Sequence, residues 1–301
     1  MKNSNSTLTE DHLSKPTREF LESCVDSDLQ KRIDKIQGEG WIGYETARFI
    51  IDRIEDLIGR PRVTRMHSLL VIGTTDNGKT TIRKRIEMKY RHFAKSDGKM
   101  EFPVVSIQMP PNPDEKTFYN ALLKGAMHPP FIAGKVEHLR ERVIDTLGDL
   151  NTKLLMIDEV QHIDRMPYRK QRSILDSIKY MSNELSLPMA AFGTEEAINV
   201  FASDPQLQNR FKKVFLPKWD IDEKLRRLLA SFEKVLPLKE PSGLSDDDLA
   251  LHIYAKTNGT LGELNNLIRC SAVHALKSGT ERITRSIIDE VNFESSKSEA
   301  F

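Results

Sequence analysis

What this chain has little of narrows its class before any motif is considered. Two cysteines in 301 residues, Cys24 and Cys270, share no CxxC or metal-ligand spacing, which argues against a disulfide scaffold and for reduced thiols in a cytoplasm. The eight histidines are scattered and suggest no metal centre. No run of about 18 apolar residues occurs, and the polar start Met1-Lys2-Asn3-Ser4-Asn5-Ser6-Thr7 has no apolar segment behind it. A soluble chain not exported through a Sec-type signal is expected. Charge of one sign is missing too: 45 basic against 44 acidic residues leave no whole-molecule field, so any nucleic-acid surface must be local. Internal repeats and long low-complexity tracts are absent, and the length suits one large or two modest domains.

What is there is organised around SLLVIGTTDNGKTT, Ser68 to Thr81. The apolar run Leu69-Leu70-Val71-Ile72 predicts a buried parallel strand, and it breaks into Gly73-Thr74-Thr75-Asp76-Asn77-Gly78-Lys79-Thr80, a full match to G-x-x-x-x-G-K-[ST] followed by Thr81. Glycines at both ends let the backbone curl so that N–H groups face phosphates, and the next helix offers its positive end to the same anion. In that setting Lys79 reaches the β- and γ-phosphates of ATP and the Thr80 hydroxyl ligates Mg²⁺.

Strands and helices then alternate, which predicts parallel pairing through crossovers and a site at the carboxyl ends of the strands. Ile82, Ile86, Tyr90 and Phe93 are expected as the buried stripe of a helix whose other faces, with Arg83, Lys84 and Arg85, are solvated. A second strand spans Phe102 to Met109. The third, Leu154-Leu155-Met156-Ile157, delivers Asp158 and Glu159 at its end: Asp158 to hold Mg²⁺, Glu159 to orient and activate the attacking water. A fourth strand ends at Gly193-Thr194, where Thr194 either meets the γ-phosphate or attacking water or caps the next helix. Arg210 precedes the fifth strand, Val214 to Leu216, and reads either as a surface ion-pair residue or as an arginine supplied in trans to a neighbouring subunit's γ-phosphate.

Beyond Pro217 the pattern is helical. The chain therefore divides into an N-terminal helical extension (1–66), an α/β ATPase core with a five-stranded parallel sheet (67–217), a C-terminal helical lid (218–292) and a tail (293–301). Before the helix that ends the extension, Trp41 and Tyr44 can either pack around a nucleotide base or plug an apolar edge.

GTTDNGKT, LLMIDE, FGT and QNRF in that order, followed by a helical lid, resemble an AAA+ P-loop ATPase from Met66 to Val291. RVTRMHSLLVIGTTDNGKTT, DEVQHI, FGTEEA, LQNRF and NGTLGELNNLI, with GWIGYETA upstream, resemble the TniB family of bacterial transposition helper ATPases, relatives of TnsC and the bacteriophage Mu B protein. The resemblance implies ATP-bound subunits that assemble on duplex DNA as a ring or helical filament, present it to a DDE transposase, and disperse as ATP is hydrolysed. A TniQ-type targeting protein is a further implied partner. It makes Thr194 a first sensor and Arg210 the finger reaching the adjoining subunit. Its DNA-contacting region corresponds here to Lys99, Lys116 and Thr117, with Arg169, Lys170 and Arg172 added by charge, although each also reads as an ordinary solvated residue. One departure stands out: Gly259-Thr260-Leu261-Gly262 has glycine where many AAA+ lids carry arginine. Two other readings remain open from sequence, a nucleotide-gated protein adaptor and a replication loader or initiator, the latter expected to carry that lid arginine.

Overall fold

The computed structural model describes residues 12–24, 28–38, 40–63, 65–131 and 134–291. The polar start 1–11 and the expected tail 293–301 lie outside them. Two compact units result, one formed by residues 45–217 and the other by residues up to Tyr44 together with those from Lys218 onward. The stretch 1–66, expected as a single extension, is thus divided between them.

In chain order, α1 (Lys15–Ser23) and α2 (Leu29–Gln37) precede α3 (Glu45–Gly59), β1 (Ser68–Gly73), α4 (Lys79–Lys89), β2 (Phe93–Ala94), β3 (Met100–Glu101) and β4 (Val104–Gln108). There follow α5 (Glu115–Gly125), α6 (Val136–Asp149), β5 (Leu154–Asp158), a 3-10 turn at Val160–Ile163, α7 (Tyr168–Glu184), β6 (Met189–Gly193), α8 (Glu196–Ala202), α9 (Pro205–Arg210) and β7 (Phe211–Leu216). The chain closes with α10 (Glu223–Glu233), α11 (Asp247–Thr257), α12 (Leu261–Lys277) and α13 (Arg285–Glu290). Among the described residues no helix is long and apolar enough to cross a membrane.

The larger unit is a five-stranded sheet in the order β4-β5-β6-β1-β7, every pairing parallel. β1, β5 and β6 are buried at every residue, as strands covered by helices on both faces must be, and this accounts for their unbroken apolar runs. β7 is an edge, and Lys212 and Lys213 are exposed along it, a placement that discourages strand addition. Leaving β1, the chain crosses to β4 and returns through β5 and β6, so the carboxyl ends of β1, β6 and β5 stand side by side where the winding reverses.

One expected stripe is shorter than its spacing suggested. α4 ends at Lys89, Tyr90 is half-buried, and Phe93 is exposed in a two-stranded hairpin with Met100 and Glu101. The turn is Lys95 to Lys99, where Gly98 takes φ 80° and its N–H donates to Lys95 O at 3.0 Å. A local Asp-Gly turn prevails over continued helical periodicity.

The helical unit packs Ile33 and Ile36 of α2 among Leu225, Leu229 and Phe232 of α10, Ile253 of α11, Leu264 and Leu267 of α12, and Ile287 of α13. Arg32 is buried there, donating from Nε and Nη2 to Pro237 O at 3.1 and 2.6 Å and pairing with Glu281. Tyr44 packs edge-to-face on Trp219 with ring centroids 5.1 Å apart, and burial raises its hydroxyl pKa. Its contacts are those of the apolar plug.

Candidate nucleotide site

The loop between β1 and α4 turns on two left-handed residues, Asp76 at φ 56° and Gly78 at φ 89°. Glycine suits the second, the position from which α4 starts, because a φ of 89° is a backbone that side chains rarely adopt. Gly73 has a different reason from the one the motif suggests: a Cβ there would lie 3.0 Å from Leu216 O and 3.1 Å from Leu216 Cβ. It lets the end of β1 close against β7. Asn77, 1% exposed, spans the same seam by donating from Nδ2 to Leu216 O and Pro217 O, both at 2.8 Å.

Lys79 is 5% exposed, and its ammonium donates to Gly73 O at 2.8 Å and Thr74 O at 2.7 Å, folding back over the loop. Burial lowers its pKa, opposed by the negative charges of Glu159, Asp158 and Asp76. Thr75, Thr80 and Thr81 are exposed along the loop and first helical turn, and Thr74 Oγ1 is buried with no hydrogen-bond partner among the described residues. A loop with an orphaned hydroxyl, a partly desolvated ammonium and a helix start without a side-chain cap fits a phosphate chain.

Thr80 Oγ1 donates to Asp158 Oδ2 at 3.3 Å, so the loop and the acidic strand end form one cluster. Asp158 is 3% exposed; its Oδ1 accepts the Glu159 N–H at 3.0 Å, and its Oδ2 also accepts from Arg83 Nε at 3.1 Å. That corrects the expectation that the basic residues of α4 simply face solvent. Arg83 follows Lys79 by one helical turn and therefore shares its inward face, a signal the i, i+4 spacing contained. A hydroxyl and a carboxylate are the hard oxygen donors that suit Mg²⁺, an ion commonly held by one or two carboxylates plus substrate phosphates. Among the described residues no group of three or more His, Cys, Asp or Glu could hold a metal ion.

Glu159 adopts φ 58°, ψ 37°, an uncommon backbone for a non-glycine residue. Its Oε2 accepts from Gln161 Nε2 at 2.6 Å, while Gln161 Oε1 accepts the Thr194 N–H at 3.3 Å. Gln161, 7% exposed, thereby bridges the ends of β5 and β6; it stands in the DEVQHI stretch, but nothing in its spacing revealed this task. His162 Nδ1 lies 3.0 Å from Met109 O. The Thr194 hydroxyl donates to the Glu196 carboxylate, while α8 has Glu195 at its cap position with no side-chain cap bond. A carboxylate on a constrained backbone beside a buried acid and a buried ammonium suits activation of water against a phosphoanhydride.

Arg210 is not brought to this cluster within its own chain. Phe211 pairs with Ser68 and Leu216 with Gly73, so Arg210 stands at the amino end of β1, roughly 17 Å along the strand from the loop. It ends α9, which Asp204 caps by accepting the Gln206 and Leu207 N–H groups, and its Nη1 is buried without a hydrogen-bond partner among the described residues. In the lid, Gly262 lies in the first turn of α12.

The candidate DNA residues separate into two places. Lys116 and Thr117 open α5 beyond the carboxyl end of β4, and exposed Arg169, Lys170 and Arg172 open α7 beyond β5. Ser173 donates to Glu115, joining the two helix starts. The Thr117 hydroxyl is occupied in a capping box, accepting the Asp114 N–H at 2.9 Å and donating to Asp114 O at 3.0 Å. Lys99 lies in the hairpin turn ahead of the amino end of β4, at the opposite end of that strand from Lys116. Tyr168, 65% exposed, stacks with Arg172 at 5.9 Å beside the basic helix start and was not singled out from sequence.

A family model described as bacterial TniB protein matches residues 32–221. No curated protein matches the chain. The fold is similar to that of the Aeropyrum pernix ORC1 protein solved in complex with DNA, with TM-score 0.62 and 16% identity, covering 86% of this chain and 68% of that one. For the Aeropyrum pernix ORC2 protein in its ADPNP-ADP complexes the values are 0.60 and 14%, over 85% and 71%. Domain III of the Thermotoga maritima replication initiation protein DnaA gives 0.51 and 14%, over 84% and 95%. Identities this low speak for the fold alone, which is that of the AAA+ ATPases.

Proposed function

The chain belongs to the TniB family, and from that premise we propose that it is an ATP-hydrolysing regulator of DNA transposition, working in the bacterial cytoplasm. Its subunits assemble on duplex DNA without sequence preference, as a ring or helical filament, and recruit or activate a DDE transposase, with a TniQ-type protein as a further partner. The observation that carries this reading is the 3.3 Å contact between Thr80 Oγ1 and Asp158 Oδ2, which joins the phosphate loop to the acidic strand end.

In this reading the backbone from Gly73 to Thr81 cradles the triphosphate, and Lys79 exchanges its loop carbonyls for phosphate oxygens. Thr80 and Asp158 hold Mg²⁺, which when bound offsets charge on the β- and γ-phosphates. Glu159 orients a water and accepts its proton at a carboxylate oxygen, with Thr194 beside it as first sensor. Arg210, at the far end of β1, serves the site of the adjoining subunit. The joined helix starts with Lys116, Arg169, Lys170 and Arg172 supply the charge for phosphate contacts, and the DNA seen with the Aeropyrum ORC1 protein lends support to nucleic-acid binding by this fold.

Sedimentation with random-sequence duplex at low salt, with and without ATP, tests the proposal. ATP-dependent co-sedimentation is expected, lost in Lys79→Ala together with nucleotide binding. Nucleotide binding without any DNA-bound assembly would instead favour the protein-adaptor role.

A further inference from the structure

We propose that Arg83 is a resident counter-ion of the cation site, a positioning residue that holds Asp158 in place and at the same time weakens its hold on Mg²⁺. The inference deepens the nucleotide-site reading and rests on it.

The guanidinium is tied on three sides. Nε donates to Asp158 Oδ2 at 3.1 Å, and Nη1 donates to Ser106 Oγ at 2.9 Å and to Glu87. These partners come from β5, β4 and α4, so the side chain is held by the sheet as well as by its own helix. Its side chain is 18% exposed and that of Asp158 5%, which limits screening by water. Arginine cannot lose its charge in a protein, so the positive charge is permanent.

The consequence follows from the two oxygens of Asp158. Oδ1 accepts the Glu159 N–H, and Oδ2 receives both Arg83 Nε and the Thr80 hydroxyl. A divalent cation approaching Thr80 and Asp158 therefore meets a fixed positive charge hydrogen-bonded to the carboxylate oxygen it would share. Repulsion at this range in a partly buried site lowers cation affinity without touching the phosphate loop itself. Glu87 works the other way, drawing part of the guanidinium's field toward the outer side of α4.

The test uses the full-length protein with saturating ADP, and Mn²⁺ as a spectroscopic substitute for Mg²⁺, titrated by electron paramagnetic resonance. Arg83→Gln should bind Mn²⁺ at least about tenfold more tightly than the wild type. Arg83→Lys, which keeps the charge, should stay nearer the wild type. Glu87→Gln, at a partly exposed position compatible with folding, should weaken Mn²⁺ by roughly threefold. Opposite signs at Arg83 and Glu87 are not what a merely structural role produces. Unchanged or weaker Mn²⁺ binding by folded Arg83→Gln, or unchanged or tighter binding by Glu87→Gln, overturns the assignment. ADP binding by the wild type in EDTA and in Mg²⁺ is followed in parallel: none in either buffer removes the nucleotide reading and this one with it, whereas bound ADP with unmoved Mn²⁺ affinities removes the Arg83 assignment alone.

Discussion

Asn77 Nδ2 lies 2.8 Å from both Leu216 O and Pro217 O, so a side chain from inside the phosphate motif fastens the loop to the end of the edge strand. Asn77→Ala strands two acceptors at a buried seam and should cost about 1–3 kcal/mol, read as a lower denaturation midpoint. Asn77→Asp, which sets a carboxylate against two carbonyls, should cost more. Equal stability of all three proteins would show that the latch contributes nothing.

Glu159→Gln should keep nucleotide binding and accumulate long-lived DNA-bound oligomers, because the water loses its base while the loop is untouched. Dissociation as fast as wild type after ATP addition would remove Glu159 from that role. Gln161→Ala, which releases the Glu159 carboxylate and the Thr194 N–H together, should lower kcat by roughly tenfold or more with little change in KM for ATP. A rise in KM alone would make Gln161 a binding residue instead.

The Arg32–Glu281 pair predicts how the helical unit responds to acid. Burial pushes the Glu281 carboxyl up, but the Arg32 hydrogen bond and charge with the Lys239 N–H outweigh it and hold the pKa below the ordinary carboxylate value of 4.5. Its folded pKa is thus the lower one, so its stabilisation is fully present above pH 4.5 and is lost as pH falls through the folded value. Arg32→Ala leaves Glu281 and Pro237 O without this partner and should cost roughly 3 kcal/mol at neutral pH. The difference from wild type should shrink in acid; a pH-independent difference would mean that the loss is packing alone.

Charge removal at the joined helix starts should weaken DNA binding evenly across sequences. Lys116→Ala with Lys170→Ala should flatten the dependence of log affinity on log salt by about one unit per lost phosphate contact. Lys99→Ala, at the other end of the sheet, should leave the slope as it is. Equal losses from Lys99 and Lys116 would contradict this placement.

The sheet was legible because parallel strands buried on both faces leave continuous apolar runs, and Leu69 to Ile72 and Leu154 to Ile157 are such runs. The helix expected to continue to Phe93 was not, because periodicity says nothing about where a local turn such as that at Gly98 ends the element. In the site, the loop motif and the Asp158-Glu159 pair announce themselves by residue type and order. Gln161 and Asn77 do not: glutamine after a strand and asparagine in a loop are common, and Arg83 offers only its i, i+4 spacing from Lys79, while the distant partners of all three, Thr194, Leu216 and Asp158, are set by the fold.

The sequence by itself determined the order of the elements and the place of the phosphate motif, since both are written in local patterns of polarity and in glycines whose backbone demands are local. Tertiary structure alone decided that Arg83 shares an oxygen of Asp158, that Gln161 joins Glu159 to Thr194, that Lys99 stands apart from Lys116, and that α2 packs with α10 and α12 while α3 belongs to the sheet. Each of these depends on which distant segments the crossovers bring together, and no stretch of chain read alone contains its own neighbour.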